Sequence, residues 1–383
     1  MRISKLAKVA SLALAFGLVA GTPAYAVDLQ GSGASFPALL IEGCKAGFAS
    51  SGSGHTYVYA SSSSGTGQSN SDKSIGDFWM SDGAYTAATK RASLIHVPLV
   101  AAPIAILHNL PAKTTLSLSA ATIAGIFGGT ITRWNDPAIV ADNNRSTTKV
   151  IYKLDKNGNP AKDAKGNPVV LRTQVVQQHY TLPDKPIKVV YRSDSSGTSE
   201  NFTNYLNKSA SAVWPKAKNK VFKDAFPGNI NDTANLGRVV GAASSTGVAQ
   251  LAGKTAYSIT YAEVNYATAN NLKIANLINP AGSSVVPDST GVGAFLASAT
   301  QDANGFLTYN YATTEKGAYP LGIVSYLLAD TKYPDAAKAK AVKDFANYIL
   351  STKCSKDVGG PLGFSVIDGE LLKKSLAQVA KIG

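Results

Sequence analysis

This sequence is poor in the side chains that most catalytic and metal chemistries require. Its 383 residues include two cysteines and four histidines. His55, His96, His108 and His179 are scattered along the chain, and none pairs with another at an i, i+4 spacing, so each is read as structural or exposed and no metal site is expected. Gly-x-Ser-x-Gly occurs nowhere, which excludes a nucleophile elbow. Gly247 and Gly253-Lys254-Thr255 invite comparison with a P-loop, but five residues separate the glycines where the motif requires four. The apolar run between them reads as the end of a helix stopped by Gly253, whereas a P-loop opens one. Beyond residue 26 no run reaches the ~18 apolar residues of a membrane span.

Acidic residues are the other shortage, 24 against 37 Lys and Arg, for a formal charge of +13. Arg2, Lys5 and Lys8 precede an almost unbroken apolar run from Val9 to Val19, and Ala24-Tyr25-Ala26 has the small-x-small pattern of signal peptidase substrates. Residues 1–26 are therefore expected to be an export signal cleaved near Ala26, leaving a soluble periplasmic or secreted chain. No cysteine lies near that point, so a lipid anchor is not expected. Cleavage removes three cations and no acid, and the charge falls to +10. Such an excess attracts nucleic acid, an anionic surface or a small anion, and composition does not choose among them. The lysine-rich stretches 153–165 and 216–223 read as solvated loops. Cys44 and Cys354 permit one bridge in an oxidising compartment, which would join both ends of the chain in one domain; the alternative is two buried thiols.

What the chain does contain is a repeated local pattern. From Ile187 to Leu206 a β-rich run passes through a Ser/Gly turn into Phe202, Tyr205 and Leu206, which share one helical face. That order of strand, turn and helix leaves unpaired N–H groups and the positive end of a helix beside Arg192, where an anion is favoured. Gly31 to Pro37 precedes an apolar helix-like run, and Pro37 suits its first turn. Thr56 to Ala60 is a strand feeding the hydroxyl-rich turn Ser61 to Gln68. The run Phe78-Trp79-Met80 ends at Ser81-Asp82. Strands are expected at 94–100, 104–108, 150–152, 169–176, 256–260, 273–278 and 319–328, and helices at 119–127, 236–248, 262–270, 336–350 and 370–382. Two Gly-Asn-Pro turns make a protruding hairpin near 153–172. The βα alternation and the length favour an α/β plan with two domains.

Arg192-Ser-Asp194-Ser195-Ser196-Gly197-Thr198 with Asn201 to Leu206 is the strongest of five motifs in order. The others are Gly31 to Pro37, Ser63-Ser64-Gly65, Ser81-Asp82, and Ile123 to Gly129 with Trp134-Asn-Asp-Pro137. Together they resemble the periplasmic phosphate-binding proteins of the high-affinity phosphate ABC transporter, the PstS-like family. The resemblance implies a two-lobed, type II periplasmic-binding-protein fold whose discontinuous α/β lobes, 27–102 plus 282–383 and 103–281, are joined by two hinge strands. It implies a monomeric, non-catalytic receptor that takes inorganic phosphate to an ABC permease, without cofactor, metal or nucleic acid. The ligand set carried over is Ala34, Ser35, Phe36, Ser63, Asp82, Arg192, Ser196, Gly197 and Thr198, with Asp194 holding Arg192 from behind. An ionised Asp82 would accept the proton of hydrogen phosphate and repel sulfate, which has none. The register within Ser62, Ser63 and Ser64 stays open. The family commonly has glycine where this chain has Ser195; if that turn takes φ > 0, the serine is strained there. The competing readings are a receptor for another oxyanion or an organic phosphate, an exported phosphatase, and a surface protein that retains the fold.

Overall fold

A computed structural model describes residues 26–86, 90–111, 115–156, 160–161, 163–164, 169–177, 179–302 and 305–383, the side chains of 147–150 excepted. The expected export signal and part of the hairpin tip lie outside these residues.

Two parallel half-sheets meet on one long strand. In the first, Asp28–Ala34 runs between Thr56–Ser62 and Phe78–Ser81, with Ala34 opposite Ser62 and Gly33 opposite Met80. Gly322–Asp330 continues this half antiparallel and pairs along 94–103 of the strand Leu94–His108. In the second, Lys188–Arg192 runs between Val239–Ala242 and Ser258–Glu263, and the last of these pairs antiparallel with 104–108 of the same long strand. The sequence divides that 15-residue strand into two at Ala101-Ala-Pro103, but the extended backbone runs straight through. Pro103 is tolerated because it sits opposite Gly322, the first residue of its neighbour, and Ile104 already pairs with Glu263 of the other half.

Each half has its own aromatic core. Phe78 and Phe345 lie 4.4 Å apart beside Phe48 and Tyr57, so the helix Ala336–Leu350 buries the face expected of it. Phe202 stacks on Tyr261 at 4.2 Å, with Phe127 and Phe222 around them. Cys44 and Cys354 form a disulfide that ties the helix Ala38–Ala49 to the turn after Ala336–Leu350. The bridge is the outcome, and the free-thiol alternative falls. The strands Ser146–Tyr152 and Val170–Gln177 form the expected hairpin as a separate two-stranded ribbon.

Two expectations fail. Residues 236–248 are not one helix: turns lead into the strand Val239–Ala242, and a helix begins only at Ser244 and runs to Lys254. Val239 and Val240 are β-branched residues on a pleated surface, and the apolar helical spacing there was fortuitous. The serine tract is not a loop beyond its first residues, since Ser64–Asp72 is helical despite its polarity, capped by Ser63.

Candidate functional site

Strand ends place the site. Asp28–Ala34, Thr56–Ser62 and Phe78–Ser81 all finish on one side, and Lys188–Arg192, Val239–Ala242 and Ser258–Glu263 finish facing them. Carboxyl ends of parallel strands are where α/β folds leave a crevice. Four helices begin there, at Ala38, Ser64, Gly197 and Ser244. Three of them have no acidic residue in the first turn, and two, Ala38–Ala49 and Ser244–Lys254, have no side-chain cap. Their positive dipole ends favour an anion, and several of their N–H groups are held by protein acceptors in this structure, Ser244 by Asp194, Ser245 by Ser35 and Gly65 by the Ser195 carbonyl.

Arg192 is fully buried, and its guanidinium is held as expected: Nε donates to Asp194 Oδ1 at 2.8 Å and Nη2 to Oδ2 at 2.5 Å. Burial works against that charge, but the hydrogen bond and charge of Asp194 outweigh it and raise the guanidinium's pKa. Burial likewise opposes ionisation of Asp194, and Arg192 prevails, holding it below the ordinary range. The backbone N–H of Ser244 also donates to Asp194, at 3.2 Å.

Asp82 is 3% exposed and accepts three hydroxyls: Ser325 on Oδ1 at 2.8 Å, and Thr198 and Ser64 on Oδ2 at 3.2 and 3.3 Å. Burial pushes it up to about 6, against those hydrogen bonds and the charge of Arg192. Contacts cross the cleft elsewhere as well. Ser245 N–H donates to Ser35 Oγ at 3.2 Å, Gly65 N–H donates to the Ser195 carbonyl at 3.0 Å, and Asn201 Nδ2 donates to the Asp82 carbonyl at 2.7 Å. A Cβ on Gly197 would lie 2.8 Å from Asp82 Cβ and 2.9 Å from the Gly83 nitrogen, so glycine is required there by proximity.

The expected residues thus come together, with differences of detail. Ala34 ends its strand and accepts from the Tyr59 hydroxyl, and Phe36 packs against Phe364. Ser63 and Ser196 each use the hydroxyl to cap a helix, accepting from Thr66 and Ser199 N–H, while Ser64 is the serine that reaches Asp82. Ser195 has no positive φ, so the strain conditional on one does not arise there, and Ser244 takes φ 63. Ser64 is the member of the open Ser62–Ser64 register that meets Asp82, whereas Ser245, Glu263 and Ser325 were missed. Ser244-Ser245-Thr246 repeats the strand-to-hydroxyl-to-helix signal, but the reading of 236–248 as helix hid it. Ser325 lies inside an apolar strand, where no pattern marks it.

A model of the PBP superfamily domain matches residues 19–353. Phosphate-binding protein PstS of Xylella fastidiosa is 30% identical over 326 residues, 83% of this chain and 76% of that protein. Phosphate-binding protein PstS 3 of Mycobacterium tuberculosis is 31% identical over 256 residues, and the chain spans 57% of that relative's length. Among solved structures, a DING protein overlays with TM-score 0.66 at 20% identity, covering 91% of this chain and 94% of the other. A phosphate-binding protein from Stenotrophomonas maltophilia gives 0.62 at 18%, covering 91% and 93%; both share the two-lobed type II fold. By sequence and by fold, the chain belongs to the PBP superfamily, as a PstS-like member.

Proposed function

We propose that this chain is an exported receptor that closes on inorganic phosphate and delivers it to an ABC permease. The observation that carries the reading is that Arg192 and Asp82 stand in one buried crevice among four helix N-termini, three of which have no acidic residue in their own first turn. Arg192, Ser35 and the amides of Gly197 and Thr198 donate to phosphate oxygens. Asp82, ionised above about pH 6, accepts the phosphate's own proton. The lobes are 27–102 plus 282–383 and 103–281, hinged on Leu94–His108 and on the return near 282. The chain acts as a monomer in the periplasm or outside the cell and performs no catalysis. The phosphate-binding relatives support the receptor role. The test is calorimetric titration of ligand-stripped protein. Phosphate should bind tightly and sulfate at least ~100-fold more weakly, since an unmatched carboxylate faces it. Equal affinities would overturn the reading.

A further inference from the structure

The strand Ser258–Glu263 ends on a carboxyl that the anion chemistry above leaves unused. Glu263 is 2% exposed. Its Oε1 accepts from the Ser245 hydroxyl at 3.0 Å; that hydroxyl accepts from Arg192 Nη1 at 3.2 Å and lies 3.3 Å from Ser35 Oγ across the cleft. Oε2 is buried and has no hydrogen-bond partner among the described residues. Arg192 is already neutralised by Asp194, to which it donates two hydrogen bonds, and Asp82 adds a negative charge opposite. An ionised Glu263 would set three carboxylates around one guanidinium, in a crevice that must also hold an anion. Like charges so placed, out of water, are strongly unfavourable. A neutral carboxyl removes the repulsion and converts the free oxygen into a donor.

We infer that Glu263 is a further ligand-contacting residue of this site, which stays protonated around the bound oxyanion with Oε1 accepting from Ser245 and Oε2–H donating to an anion oxygen. The inference rests on the phosphate reading. The two carboxyl groups then act in opposite senses: Asp82 accepts the ligand's proton, and Glu263 lends its own.

Burial pushes Glu263 up to about 8, with its backbone hydrogen bond and Arg192 opposing and Asp82 reinforcing. The titratable groups that act on it are Arg192 from the parallel strand, Tyr266 from the next helix and Asp82 across the cleft, while Asp194 and Tyr261 act in turn on Arg192. The first turn of Ser244–Lys254 brings only hydroxyls, and the paired residue of the long strand is Ile104. Tyr261 and Tyr266 are pushed up to about 12 by burial, Asp82 to about 6, while the pKa of Arg192 is raised and that of Asp194 lowered. Among these, Glu263 alone changes charge between pH 7 and 10, a range in which dissolved phosphate is largely the dianion above pH 8.

The experiment is phosphate calorimetry from pH 7 to 9.5 in buffers of differing ionisation enthalpy, on the unaltered chain and on Glu263→Gln. The unaltered chain should lose about tenfold in affinity per pH unit above about 8 and take up close to one proton on binding at pH 9. Glu263→Gln keeps a donor and cannot titrate, so its affinity should change less than about threefold over the range, without that uptake. A flat profile in the unaltered chain, or the same alkaline loss in both proteins, overturns the inference while leaving the phosphate reading standing. Failure of the unaltered chain to bind phosphate at pH 7 overturns both.

Discussion

Asp82 combines two properties that conflict: it is enclosed, and the proposed function requires it to be charged. Three hydroxyl donors and Arg192 recover part of what burial costs, and the balance leaves it ionised only above about pH 6. Asp82→Asn, which replaces one acceptor by a donor, should weaken phosphate binding by about 10-fold or more and narrow the phosphate-to-sulfate ratio. Competition between labelled phosphate and sulfate reads both effects. In the unaltered protein, sulfate should gain affinity as pH falls through about 6, because a protonated Asp82 donates to it. Asp82 and Arg192 were legible because each stands at the end of a strand-like run, where a charged residue meets a turn. The condition for strain at Ser195, a positive φ, is not met. Ser195 was singled out for a family glycine, whereas the positive φ falls at Ser244, whose N–H must turn toward Asp194.

Helices supply the donors, and their starting points decide how closely the two halves approach. Gly197 opens Gly197–Ser209 against Asp82 and Gly83 of the other half. Alanine favours the helix itself by up to about 1 kcal/mol relative to glycine, so Gly197→Ala should keep or slightly raise the unfolding temperature. Its Cβ has no room between the halves, and phosphate affinity should fall by at least ~100-fold, a separation of stability from binding that calorimetry and thermal melts measure together. Two of the four helix starts, at Ala38 and Gly197, were legible, since proline or a serine-glycine turn precedes an apolar face. The start at Ser244 was not, because a short β-branched strand in front of it imitates helical spacing. The polar helix Ser64–Asp72 has almost no apolar face to detect; Ser71 and Gln68 are buried by hydrogen bonds to a backbone carbonyl and to Ser81.

The whole molecule is held at two levels, by the cores of its halves and by the link between chain ends. Cys44–Cys354 closes a loop of sequence separation 310, and its loss through Cys44→Ser with Cys354→Ser should cost about 2–5 kcal/mol, read as a lower denaturant midpoint. Phosphate binding should persist in the folded fraction, since the bridge lies on the far turns of Ala38–Ala49 from Ser35. Stability should also depend on pH in an unusual sense. Glu263 has a folded pKa raised to about 8, so its contribution is complete below the unfolded carboxyl pKa and is lost as pH rises through about 8. The expected loss between pH 6.5 and 8 is about 1 kcal/mol per pH unit, and Glu263→Gln should abolish it in urea titrations. His96 and His108 act oppositely: burial lowers them to about 3 and about 4, so their neutral forms favour folding above about pH 6.5 and penalise it below.

By itself the sequence determined the local chemistry: which strands end in hydroxyls, which helices begin uncapped by acids, where a guanidinium fork stands with a carboxylate two residues on. Such patterns are set by neighbours a few positions apart, through backbone sterics and hydrogen bonding, and they survive in one dimension. Only the tertiary structure decided that Ser245 meets Ser35 across 210 positions, that Ser325 reaches Asp82, that Pro103 lies within one continuous strand, and that Glu263 shares a crevice with Arg192. Burial is a property of the assembled halves. The raised pKa values of Asp82 and Glu263 come from burial and from no local pattern.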